Sequence, residues 1–111
     1  MEEELTKFIE LLVRVNGCLK NLFQSGDPRL FTDLNQAVKE LHAVQSASEE
    51  VALSAIEPEC KIIYSNSDMI VKVLRTTEDG VIDAGAKKAL NKFLHNIDEA
   101  VVNIAMAFGL I

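Results

Sequence analysis

Prolines stand at only two positions in this 111-residue chain, 28 and 58, so long stretches contain nothing that stops a helix. Proline removes a backbone donor and clashes with the preceding turn, so its scarcity favours helices of several turns over a loop-rich fold. The apolar residues between the breaks are spaced accordingly. Over residues 2–24, Leu5, Phe8, Leu12, Val15, Leu19 and Leu22 alternate by three and four, which places them on one face of a helix. Ile9, Leu11, Cys18 and Phe23 widen that face toward globular packing. Glu2, Glu3 and Glu4 stand where the helix dipole favours negative charge.

Ser25-Gly26-Asp27-Pro28 is the clearest punctuation. Gly26 suits a left-handed helix stop, Asp27 the N-cap of the next helix and Pro28 its first turn. A second helix is predicted from Pro28 to about Ile56, with Leu30, Leu34, Ala37, Leu41, Val44, Val51 and Ala55 on its seam and Ser48 as a polar member. Pro58 then either begins a third helix or kinks a longer rod. Residues 59–77 read as a helix bearing Ile62, Ile63, Met69, Ile70, Val73 and Leu74, or as a hairpin around Asn66-Ser67-Asp68. The helix is preferred, because an isolated two-stranded hairpin is marginal without further strands. Thr76-Thr77-Glu78-Asp79-Gly80 is the next loop, and a last helix is expected to start between Val81 and Asp83. Its stripe is Ala86, Leu90, Phe93, Ile97, Val101, Ile104 and Phe108, broadened by Ala89, Leu94, Ala100, Ala105 and Met106.

Four antiparallel helices with short connections bury four such stripes as an all-α up-down-up-down bundle, one domain over residues 1–111. An α+β fold with a hairpin at 60–75 is the alternative. With no Trp and one Tyr the core must be largely aliphatic.

The formal net charge of -6 argues against general nucleic-acid binding, which depends on neutralising phosphates with Lys and Arg. Cys18 and Cys60 show no metal or redox spacing, which suggests a reducing cytoplasm. The acidic start MEEELTKF is unlike the basic beginning of a secretory leader. No segment approaches the roughly 20 apolar residues that span a bilayer, and no basic flank supports attachment to anionic lipid. The expected localisation is therefore cytoplasmic, with no membrane partner. The twelve uncharged residues from Ala100 to Ile111 read as the end of an amphipathic helix, either wholly buried in the domain or partly facing a second chain.

The bundle topology has an electrostatic consequence. It gathers Glu2, Glu3, Glu4, Glu49, Glu50, Glu57, Glu59, Asp98 and Glu99 around one pole, where Lys7 and Lys61 are the basic residues. Such a pole is either a solubilising end or a dock for a basic partner.

His42, in Glu40-Leu41-His42-Ala43-Val44-Gln45-Ser46-Ala47-Ser48, sits at the edge of the second stripe. This stretch resembles the phosphorylated helix of histidine-phosphotransfer domains over about seven residues. The likeness lies in the His, the aliphatic at plus two and small residues at plus four and plus six. It implies phosphotransfer through His42, but Gln45 stands where that family usually carries a Lys that stabilises the phosphoryl group. His95 and His42 each follow a Lys by three residues, so the Glu-x-x-His pattern of a di-iron carboxylate bundle is absent. Asp79-Gly80-Val81-Ile82-Asp83 is similar to the middle of an EF-hand loop, yet Arg75, Thr77 and Ala86 occupy ligand positions, so it reads as a turn and helix start. Cys18 and Cys60 read as small buried hydrophobes. No Gly-rich phosphate loop or catalytic triad spacing occurs, and neither enzyme activity, cofactor nor metal is expected.

The sequence thus points to a small helical interaction protein of adaptor, chaperone, inhibitor or immunity type. Its expected partner-binding residues are Val101, Ile104, Phe108, Leu110 and Ile111 on the last helix and Glu49, Glu50, Glu57 and Glu59 at the acidic pole. The partner is a protein of basic character or a second copy in a homodimer. Phosphotransfer at His42, or an apolar ligand in a core cavity beside Ala37, Ser48, Ala55, Ala89 and Ala105, are the other readings.

Overall fold

The computed structural model describes residues 2–27, 29–49, 51–76 and 82–111. Five helices appear among them: α1 (Glu2–Ser25), α2 (Leu30–Ala47), α3 (Val51–Ala55), α4 (Glu57–Thr76) and α5 (Ala84–Ala107). No strand occurs among the described residues, so the segment that also admitted a hairpin is helical. The four long helices form the expected up-down-up-down bundle.

Short connections turn each long helix back along the one before it, and pairs across each seam set the neighbours side by side. Arg14 of α1 meets Glu40 of α2 at 2.7 Å, and Ser67 of α4 donates to Asn35 of α2 at 3.1 Å. Asn96 of α5 donates to Asn66 of α4 at 3.0 Å. The circuit closes where Phe8 of α1 packs edge-on against Phe108 after α5, with ring centroids 6.0 Å apart. Of these four seams, α1–α5 is the loosest. A helix of 24 residues is about 36 Å long, and the 45 × 25 × 19 Å molecule is elongated along the bundle axis.

Local chemistry accounts for the helix ends. Gly26 adopts φ +65° and donates to the Leu22 carbonyl at 2.9 Å, a left-handed stop for α1. Asp27 accepts from the Arg29 amide at 3.0 Å, opening the turn into α2, while Pro28 lies outside the described residues. The neighbouring Arg29 guanidinium hydrogen-bonds Asp27 and holds its carboxyl below the usual range. Asp83 caps α5, accepting from the Ala86 amide at 2.7 Å. After α5, Gly109 donates to Met106 and Leu110 to Ala105, closing the helix in a Schellman turn.

The predicted second rod differs from the observed one. It does not continue to Ile56 but stops at Ala47, and Ser48 is extended at ψ 139°. The chain then folds back through the short α3, so Val51 is 83% exposed and Ala55 is at the surface, whereas Leu53 and Ile56 are buried. Burying Leu and Ile removes more apolar area from water than burying Val and Ala, which favours the broken register. Gln45, itself buried, bridges the break from its amide to the Leu53 carbonyl at 3.5 Å. Pro58 begins α4 rather than kinking a rod, in the first turn where its missing N–H is tolerated.

The core matches the remaining stripes closely. Phe8, Leu12, Val15, Leu19 and Leu22 of α1, Leu34, Ala37 and Leu41 of α2, and Leu90, Ile97, Val101 and Ile104 of α5 are buried. On α4 the buried line is Cys60, Ile63, Ser67 and Ile70, while Ile62 and Met69 face outward. Ser67 takes a core position because Asn35 supplies a partner for its hydroxyl.

Candidate interaction surface

The residues predicted to dock a partner divide between core and surface. Val101 and Ile104 lie in the core and offer no area to a partner in this fold. Phe108 is half-buried against Phe8. Leu110 and Ile111 are exposed, Ile111 to 76%. The outward apolar residues of α5 are instead Val102 and Met106, the latter 61% exposed. Their spacing of four puts them on one face of α5, and Leu110 and Ile111 are exposed beyond the Schellman turn. Met106 therefore lies outside the inner face that the stripe predicts for it, because positions 102 and 106 stand across the helix from the buried Ile97 and Ile104.

The same end of the bundle carries the acids. The antiparallel arrangement brings the start of α1, the ends of α2 and α5 and the start of α4 to one pole. Glu49 and Glu57 are exposed there and Glu59 is half-buried, while Glu50 lies outside the described residues. Glu57 pairs with Lys61 at 3.3 Å, an exposed i,i+4 contact. Glu3, Glu4 and Glu99 add exposed carboxylates, so the apolar end of α5 is rimmed by negative charge.

His42 is half-buried and its ring stacks on Tyr64 of α4, centroids 4.3 Å apart and planes within 26°. Its Nδ1 is buried without a hydrogen-bond partner, and its Nε2 lies 3.5 Å from the Ser46 hydroxyl. The ring therefore forms part of the α2–α4 contact. His95 is exposed beside Phe23 of α1, centroids 5.2 Å apart. Among the described residues, no group of three or more His, Cys, Asp and Glu could hold a metal ion. The EF-hand-like stretch lies largely outside the described residues, and Asp83 within it serves as a helix cap.

Cys18 is half-buried and Cys60 buried, and both thiols are free. Burial pushes the Cys60 thiol up to about 12, with Glu59 and Glu57 adding in the same direction. Burial also raises Cys18, helped by Asp33. Neither environment favours a nucleophilic thiolate.

The small residues expected around a core cavity are scattered: Ala37 is buried, whereas Ala55 is exposed and lines no interior space. A cleft of about 230 Å³ opens at the opposite end, lined by Phe23, Phe31, Ile82, Lys87 and Leu90 among others. No helix among the described residues is long and apolar enough to cross a membrane.

Comparison with protein-family models, curated proteins and solved structures finds no match to this chain.

Proposed function

We propose that this chain is a small helical interaction protein whose docking surface is the end of α5 and the acidic rim around it. The observation that carries this reading is the set of exposed apolar residues Val102, Met106, Leu110 and Ile111 on and after the end of α5, at the pole that bears Glu49, Glu57 and Glu99. An apolar patch with a charged rim has the composition of a recognition surface, in which the centre supplies affinity and the rim supplies selectivity. The partner that fits is a protein segment with an apolar face flanked by Lys or Arg. The reading assigns the chain no catalytic step.

The test compares wild type with a Met106→Glu, Ile111→Glu double variant in affinity capture from cells that make the protein. Both side chains are exposed, so the variant should keep its helical circular dichroism and melting temperature. A protein retained by wild type and lost from the folded variant supports the reading. Equal capture by both, or capture of nothing, rejects it.

A further inference from the structure

Gly17 occupies the middle of α1, seven residues or more from either end of a 24-residue helix. A glycine there makes the helix less stable than alanine would. Nothing inside the molecule requires it: a Cβ built on Gly17 meets no atom within 4 Å. One turn earlier on the same outer face, Val13 is 62% exposed. With no side chain at position 17 and open space outside it, this face leaves room for another helix backbone to approach closely beside Val13.

The charges on this face identify what approaches. Thr6, Glu10, Val13, Gly17, Lys20 and Gln24 recur by three and four on the side of α1 opposite its core stripe. They are arranged symmetrically about the level of Val15. If a second α1 lies antiparallel across a two-fold axis at that level, each Val13 meets the Gly17 of the other copy. Each Glu10 then meets the other copy's Lys20, and each Thr6 its Gln24. A two-fold interface must be self-complementary in this way, because the same patch serves both sides. Glu10 and Lys20 have no ion-pair partner among the described residues, so both remain available. We propose that the outer face of α1 is a two-fold interface with a second copy of this chain, with Gly17 as its point of closest approach. This goes beyond the α5 reading, which uses different residues.

One helix pair buries less than the roughly 1,200–2,000 Å² of a standard stable interface. The dimer should therefore be weak, with a dissociation constant on the order of 10–100 µM. The experiment is sedimentation equilibrium of the full chain up to about 1 mM, well above that range. Wild type, Glu10→Lys, Lys20→Glu, the double exchange and Gly17→Leu are compared at low salt. The expected result is a wild-type dimer, at least tenfold weaker association in each single reversal, and recovery to within about threefold in the double exchange. Gly17→Leu should be a folded monomer, since leucine is the better helix former and its side chain blocks close approach. A wild-type monomer at every concentration overturns the proposal. So does a dimer indifferent to the single reversals and to Gly17→Leu, which would place self-association elsewhere. Single reversals not repaired by the double exchange overturn the antiparallel pairing.

Discussion

Burial and two acidic neighbours act on Cys60 in the same direction. With the thiol pushed up to about 12, the folded protein at pH 8 holds only about one part in ten thousand as thiolate. Ellman's reagent at that pH should therefore leave Cys60 untouched in the folded protein and react with Cys18 first, whose side chain is half-exposed. Denaturant should make the two equal. Rapid modification of Cys60 without unfolding would contradict the burial described above. The linkage has a definite sign. Above the ordinary thiol value of 9.0 the unfolded chain loses this proton while the folded chain keeps it, so stability falls as pH rises from about 9 toward 12. Cys60→Ala should flatten that alkaline decline in a pH series of urea melts. His42 is a different case at the same scale. The sequence placed it at the edge of a stripe, and it is there, but no spacing along α2 announces that Tyr64 of another helix stacks upon it. A contact between distant residues is set by how two helices meet, and one stripe read alone does not contain that information.

At the scale of the element, the α2–α3 break makes the sharpest test of register. Leu53 is 0% exposed, so Leu53→Ala should cost about 2–4 kcal/mol, as truncations in closed cores do. Val51→Ala, at a position facing solvent, should change stability by less than about 0.5 kcal/mol. Urea denaturation of both variants decides between the broken register and a continuous rod, which predicts the reverse order. The neighbouring helices were legible because each has a single strong stripe and a cap residue in place: Gly26 after α1, Asp83 before α5. Residues 46–56 offered two competing stripes, Val51 with Ala55 and Leu53 with Ile56. Periodicity alone does not rank them. What does is the burial of Leu53 and Ile56 in the core, together with the Gln45 amide that satisfies the Leu53 carbonyl across the break. The same limitation affects the faces of α5: Leu110 and Ile111 are legible as apolar, but separating the buried Val101 and Ile104 from the exposed Val102 and Met106 requires knowing which side of α5 the bundle covers.

For the whole molecule, the topology sets the charge distribution and the charge distribution sets a salt response. Exposed Glu3, Glu4, Glu49 and Glu99 share one pole, and the net charge is -6. The ion pairs among the described residues are mostly exposed, whether they join two helices, as Arg14–Glu40 does, or lie one turn apart, as Lys72–Asp68 does. Pairs of that kind contribute at most about 1 kcal/mol each, and salt weakens them. Self-repulsion at the pole opposes folding, and salt weakens that too. Repulsion should dominate, because several like charges converge there while each ion pair stands alone. The Debye length falls from about 30 Å at 0.01 M salt to about 10 Å at 0.1 M. The 45 Å molecule therefore passes from feeling its pole as a whole to feeling only nearest neighbours. Thermal melts of dilute protein should accordingly shift upward between these two salt concentrations, by a few degrees. A Glu4→Gln, Glu49→Gln variant should melt higher at low salt and respond less to added salt. A melting temperature that falls on adding salt would mean that the ion pairs outweigh the pole. The pole would then be too weakly charged to select a basic partner, and docking at the end of α5 would have to rest on its apolar residues alone.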